Sequence, residues 1–322
     1  MEKPVKRRDD KGKPFIDVKL DYGFKWFFGQ LKRKHILIRY LNAIFERAGR
    51  DIVVENIDYH DKEILPEEEE GKKIVYDIYC SSPKGHHFIV EMQNIDSVLF
   101  YNRILFYTAK VLAGEGESGW NYNLEPVFSI VVSNFNVRNI PKQLFHDIVL
   151  YDKETNAEFS DKLNIFFICL PELPKTWKEC KTEFERLTYL VDRIGGLTKD
   201  SEEYKDTGYR DFFKAAEKRN MSDSEYILYS QSAMKEAEIR SGIEEMKVQM
   251  REELKEQLKE QLEDQLKEQL EDQLKEQYTT KGRLENAIET VKNLIRMKMD
   301  LSMISKACNL DIDQVRAIAM QM

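Results

Sequence analysis

The sequence is poor in everything that staples, anchors or attracts by bulk charge. Its four cysteines, Cys80, Cys169, Cys180 and Cys308, form no Cys-x-x-Cys pair. That excludes zinc-ribbon and thioredoxin-type motifs and fits reduced thiols in a cytosolic protein. No apolar run approaches the roughly 18 residues of a membrane span, and the first ten residues, MEKPVKRRDD, lack the apolar centre of a signal peptide. A cytoplasmic protein without membrane partners is expected. The glycine-rich stretch at 114–119 has no strand before it and no Lys-Ser/Thr after it, so it is not a phosphate-binding P-loop. No small-molecule cofactor is expected. Formal net charge is −8, so the whole chain is not drawn to nucleic acid. The excess is local, however. Residues 251–277 hold ten acids and five bases, a net of −5, which leaves −8 + 5 = −3 for the rest and room for a basic groove.

What is present centres on residues 73–93. Two runs rich in branched and aromatic residues, 74–80 and 88–92, flank Ser81-Ser82-Pro83-Lys84-Gly85. Turn residues between β-formers predict a hairpin. With the turn centred on Lys84, Asp77 and Glu91 stand opposite each other. Alternation puts Gln93 on the same face as Glu91, and Val90 and Met92 on the other. Two like charges opposed on a sheet are destabilising, more so among apolar neighbours. A divalent cation with oxygen ligands would resolve the conflict.

This Asp-(x13)-Glu-x-Gln pattern on a hairpin resembles the PD-(D/E)XK nuclease superfamily, with Glu91-Met92-Gln93 in place of the usual Glu-x-Lys. The similarity is closer to one branch, the Rpn-like recombination-promoting nucleases, a group also described as transposases. Four blocks carry it, in order: Asp21-Tyr-Gly-Phe24-Lys25-Trp-Phe-Phe28-Gly29, Ile89-Val-Glu-Met-Gln93, Tyr101-Asn-Arg103 through Tyr107, and Leu124-Glu-Pro126-Val-Phe-Ser-Ile130. The likeness covers roughly residues 15–200. It implies a restriction-endonuclease-like α/β fold, a mixed sheet flanked by helices, and a Mg²⁺-dependent DNA endonuclease in which Mn²⁺ can substitute. By that resemblance Asp77, Glu91 and the Met92 backbone carbonyl are the metal ligands. Gln93 replaces the lysine, and Asp21 approaches the metal from the first helix. Lys25 and Arg103 are candidates for contact with a DNA phosphate, Arg through its planar donor fork.

Along the chain, residues 1–14 are charged and expected to be disordered. Residues 17–28 mix charge with Phe24, Phe27 and Phe28, which with Leu31 fall at helical spacing; residues 34–48 are a strongly amphipathic helix. Residues 52–59 read as a first strand and 66–71 as an acidic loop. A helix is expected at 96–112, buried strands at 127–133 and 163–170, and helices at 182–194 and 211–220. Ser222-Asp-Ser-Glu225 reads as a capping box. His86 and His87, in the turn, are read as surface residues rather than metal ligands, and His60 and Asp61 are too isolated to build a site.

The tail is the other strong signal. Leu254, Leu258, Leu262, Leu266, Leu270 and Leu274 recur every four residues. At about 100° per residue the stripe drifts by about 40° at each step, so a spiralling, incomplete seam results. The domain plan is then a 15–200 core, a 201–245 helical extension, a long charged helix at 246–280, and a 281–322 module. That module comprises a helix at 284–299 set off by Thr279-Thr-Lys-Gly282, then two short helices split by Asn309-Leu310-Asp311. It carries few basic residues and reads as a packing or partner module. DNA is the expected partner, with homo-oligomers through the 246–280 helix. The competing function is a DNA-binding or assembly protein that keeps the fold without cleavage and works through that helix. A third is an interaction protein whose long helix recruits a partner.

Overall fold

The computed structural model describes residues 12–60, 63–64, 74–114 and 124–322. Of residues 1–14, expected to be disordered, 1–11 lie outside them, as do Asp61, the acidic loop at 66–71 and the glycine-rich stretch after Gly114; Pro14 is instead held in place, its carbonyl accepting the Lys218 N–H at 2.9 Å. The chain forms two compact units, Met1–Ile239 and Arg240–Met322.

In the first unit the order is α1 (Asp21–Phe28), α2 (Lys34–Ala48), β1 (Asp58–Tyr59), β2 (Glu63–Ile64), β3 (Ile74–Val75), β4 (Ile78–Ser81), β5 (His87–Gln93), α3 (Val98–Gly114), β6 (Val127–Ser133), β7 (Phe145–Tyr151), β8 (Glu158–Cys169), α4 (Glu183–Arg193), α5 (Glu202–Lys205), α6 (Arg210–Ala216) and the start of α7 (Asp223–Arg296). Six strands form one mixed sheet in the order β1-β4-β5-β6-β8-β7, and β2 pairs with β3 separately. The β5-β6 and β6-β8 pairs are parallel; the outer pairs are antiparallel. α3 is the crossover that a parallel β5-β6 pair requires.

Alternation sorts the sheet into two faces. Ile78, Cys80, Phe88, Val90, Phe128, Ile130, Phe166 and Ile168 join the large core with α1, α2, α4 and α6. Phe45 of α2 is its hub, stacked edge-on against Phe128 at 4.9 Å and Phe166 at 5.9 Å between ring centroids. The opposite face, Val131, Ile165 and Phe167, takes Phe100 and Ile104 of α3. Where polar groups are buried there they pair, as Thr108 and Ser129 do at 2.6 Å.

The hairpin forms in the expected register. Ile78 pairs with Val90 and Ser81 with His87, centring the turn on Lys84. Gly85 adopts φ +86°, and its N–H donates to Ser82 at 3.0 Å. Only glycine takes that conformation without strain, so the turn locks the register.

Other elements differ from expectation. Of residues 52–59 only Asp58–Tyr59 form a strand; Asn42 instead holds the Val54 backbone through two hydrogen bonds of 2.8 and 2.9 Å. The run at 74–80 breaks at Tyr76-Asp77 into β3 and β4. His87 opens β5 rather than lying in the turn, and its ring takes a 2.9 Å hydrogen bond with the Tyr79 hydroxyl. α1 starts at Asp21, and Leu31, 72% exposed, has left the buried stripe. β8 begins at Glu158, well before 163, and its hairpin partner β7 was not foreseen. The helix expected at 211–220 stops at Ala216. The capping box at Ser222 and Glu225 forms, with both hydrogen bonds present at 2.7 and 3.2 Å.

In the second unit α7 continues to Arg296 without a break at Thr279–Gly282. One glycine costs only about 1 kcal/mol in a helix, and strong helix formers surround it. α8 (Leu301–Cys308) and α9 (Ile312–Met320) follow, joined at Asn309, which takes φ 51°. Val291, Ile304 and Val315 make a small core for the end of α7, α8 and α9. Among the described residues no helix is long and apolar enough to cross a membrane.

Candidate active site

The site grows from the hairpin's mouth. β4 begins at Ile78, and Asp77 stands one step before it, where the register brings it opposite Glu91. Each carboxylate accepts a backbone N–H from the facing strand. The Asp77 N–H donates to Glu91 Oε1 at 3.2 Å, and the Met92 N–H donates to Asp77 Oδ2 at 3.0 Å. Glu91 is 5% exposed. Burial pushes its carboxyl well above the usual range, and the neighbouring Asp77 charge pushes it further. Burial raises Asp77 too, against the pull of Lys25 and the Met92 N–H.

α1 brings the cation. Lys25 Nζ lies 3.1 Å from Asp77 Oδ1 and 2.6 Å from Asp21 Oδ1. One helical turn separates Asp21 from Lys25, so both reach the same point. Burial works against the charged ammonium, but Asp77 and Asp21 outweigh it and its pKa ends above the ordinary value. The Asp21 side chain is 68% exposed and that of Asp77 13%, so the row runs from solvent into the sheet.

Gln93 and Arg103 form a second pair. Arg103 Nη2 donates to Gln93 Oε1 at 3.1 Å, while Gln93 Nε2 donates to the Ile95 carbonyl at 2.8 Å. The guanidinium lies 5.3 Å from the Phe100 ring centroid and 5.9 Å from that of Tyr107. Its charge is felt at Glu91, where it favours the ionised form.

The structure therefore gathers Asp21, Lys25, Asp77, Glu91 and Met92 into one bonded row, with Gln93 and Arg103 beside it. Sequence reasoning missed the Ile95 carbonyl that fixes the Gln93 amide, and Asn94, which ties the strand end to the Lys19 carbonyl at 2.9 Å. No side-chain pattern marks a backbone carbonyl, and a lone asparagine after a strand carries no signal. Among the described residues no third His, Cys, Asp or Glu joins the acids in a cluster able to hold a metal ion.

The sequence model for PD-(D/E)XK nuclease family transposases matches residues 18–246. The chain belongs to that family, and its mixed sheet with flanking helices is the fold expected of it. PD-(D/E)XK nucleases generally use divalent metal ions, and their substrate is DNA. No curated protein and no solved structure gives a significant match.

Proposed function

We propose that the chain is a metal-dependent endonuclease hydrolysing DNA phosphodiester bonds, acting in recombination or on behalf of a mobile element. The carrying observation is the Asp77–Glu91 pair. Two carboxylates face each other out of water, each destabilised by burial and by acidic neighbours. Such a pair fits a hard cation: the donors are all oxygen, and the excess negative charge is what Mg²⁺ or Mn²⁺ would neutralise. Asp77 and Glu91 would hold it. The Met92 N–H is turned toward Asp77, and in an extended strand a residue's N–H and C=O leave by the same edge. The Met92 carbonyl is thus a third oxygen on that side. Water would complete the shell. Bound there, a divalent cation supplies a Lewis acid that makes water nucleophilic near neutral pH and offsets charge developing on the phosphate.

The chain's own groups do the rest. Gln93 is neutral and cannot supply the positive charge of the usual lysine. Lys25 supplies it from α1, held as an ammonium by the two aspartates. Gln93 keeps one amide N–H beyond the one given to Ile95 and can orient water or a phosphate oxygen. Arg103 fixes that amide and presents its remaining donors to a phosphate. Asp21, outermost, steadies Lys25. All four cysteines are unpaired, which suits a reducing, cytoplasmic compartment.

A second reading keeps the fold for DNA binding or assembly without cleavage, working through α7. The exposed leucines of that helix favour it. Supercoiled plasmid separates the two. Nicking or linearisation is measured with Mg²⁺, Mn²⁺ or EDTA, for the wild type, Asp77→Ala and Glu91→Ala. The nuclease reading expects metal-dependent cutting lost in both variants. No cutting, or cutting that survives both changes, leaves the assembly reading.

A further inference from the structure

Arg33 is a buried cation with no ion-pair partner among the described residues. It follows α1 in a short 3₁₀ turn and is 6% exposed. Its guanidinium carbon sits 3.5 Å over the Trp26 ring centroid, and Nη2 donates to the Trp26 carbonyl. Those contacts satisfy one face and one nitrogen. The Nε has no hydrogen-bond partner among the described residues. Among the described residues no carboxylate lies within ion-pair distance. Glu225, the acid whose charge reaches it most, spends its oxygens on Trp26 Nε1, Gln30 Nε2 and the Ser222 N–H, at 3.0, 3.2 and 2.7 Å. Burial pulls Arg33 down to about 10, and the charge of Glu225 only partly offsets it.

Arg33 also lines an open cleft of about 500 Å³ between the turn after α1 and α6. The other walls are Lys32, His35, Lys214, Ala215, Asn220 and Asp211. The one acid is committed elsewhere, to Arg39 Nη1 at 3.1 Å. Lys32 and Lys214 have no ion pair among the described residues. The cleft therefore presents three cationic side chains and a histidine, with no free carboxylate to balance them.

We propose that this cleft is a second anion site, separate from the acid pair, which binds a phosphate group on Arg33, Lys32 and Lys214. An unpaired buried guanidinium calls for an explanation, and a bidentate partner such as phosphate matches its donor fork. Exposed lysines alone would not mark a site; the buried guanidinium of Arg33 in the wall beside them does. α1 links the two sites, because Lys25 reaches Asp77 and the next residue, Trp26, carries Arg33. The phosphate can be a DNA backbone phosphodiester or a free phosphoryl ligand.

The test uses the full chain in EDTA, so it does not depend on cutting. Wild type is compared with Arg33→Leu and with the double change Lys32→Gln and Lys214→Gln, which touches only exposed side chains and keeps the test valid should Arg33→Leu fail to fold. Thermal melts are recorded against inorganic phosphate. Binding of a fluorescent duplex is recorded against salt. A saturable rise in the wild-type melting temperature, absent from the variants, with unchanged duplex binding, identifies a free phosphoryl ligand. A salt slope shallower by about one for each lost contact, with no response to inorganic phosphate, identifies the DNA backbone. Variants that match the wild type in both assays overturn the proposal.

Discussion

Glu91 and Leu262 are both on the wrong side of the water boundary. Glu91 is a carboxylate 5% exposed inside the sheet; Leu262 is an apolar side chain 58% exposed on α7. Their energetic scales differ. Taking a charge out of water costs several kcal/mol even after relaxation. Leaving one leucine partly wet forgoes roughly 1 kcal/mol or less, and most surfaces carry such residues singly. A buried acid pair therefore needs a compensating partner at that spot, whereas an exposed stripe tolerates having none. Substitutions at the first should move activity and stability in opposite directions. Substitutions at the second should leave both nearly still.

The largest effect is expected at the acids. Glu91→Gln keeps the shape and removes the charge, so single-turnover cutting should fall on the order of 10³-fold, the scale of losing a group that acts as part of a catalytic unit. The metal-free variant should nevertheless be more stable than the wild type by about 1–3 kcal/mol, since removing a poorly compensated buried charge relieves its desolvation. The sign of the pH dependence follows. The folded Glu91 has a pKa well above its ordinary 4.5, so the folded protein holds that proton more tightly than the unfolded chain. Below about pH 4.5 the group adds no penalty. As pH rises toward the raised folded value, the unfolded chain ionises freely while the folded one resists, and wild-type stability is lost. Melts in EDTA should show the gap to Glu91→Gln opening as pH climbs from 4.5. Saturating Mg²⁺ should close or reverse it. A gap that is flat with pH would mean that Glu91 is already compensated without metal.

Lys25 comes next. Lys25→Met keeps the stem and removes the ammonium that spans Asp77 and Asp21. Cutting should drop about 10–100-fold, the range for groups that support a metal site from outside it. Isothermal titration with Mn²⁺ sharpens this. Loss of a competing cation should tighten binding to Asp77 while cutting falls. Weaker Mn²⁺ binding instead would show that Lys25 organises the ligands rather than supplying charge to the phosphate.

How far these contrasts could be read from the chain varies by element. The hairpin was legible because Pro83 and Gly85 fix the turn, and the turn fixes every pairing to Asp77 and Glu91. β6 was legible to the residue, being a fully buried apolar run. β7 was not. As an edge strand it buries only Phe145 and His146, and its pairing with β8 is irregular near Leu150, so no alternating pattern survives. The expected strand at 52–59 failed because Val53 is 59% exposed and Val54 is tied to Asn42 instead of a neighbouring strand. Within the site, spacing put Asp21 and Lys25 on one helix face but could not show that Lys25 crosses to Asp77. That contact depends on how α1 packs on the sheet through Phe24, Phe27 and Phe28, which is a tertiary fact. Arg33 was invisible for the same reason.

The smallest effect belongs to the leucine ladder. Leu258, Leu262 and Leu266 are 57–60% exposed, so changing all three to Gln should alter stability by no more than about 0.5 kcal/mol each. Cutting by the same variant should match the wild type. What should change is association. The expected change is the loss of a weak contact with a second copy through this stripe. Because a four-residue repeat drifts by about 40° per step, only two or three leucines can share one seam before it turns away. A long, tight coiled coil would need a period near 3.5 or 3.67. Sedimentation velocity across a concentration series should therefore show the wild type shifting upward at high concentration and the triple variant staying put. A tight wild-type dimer at the lowest concentration would refute the drift argument, and loss of cutting in the triple variant would move the working part of the protein from the acids to the helix.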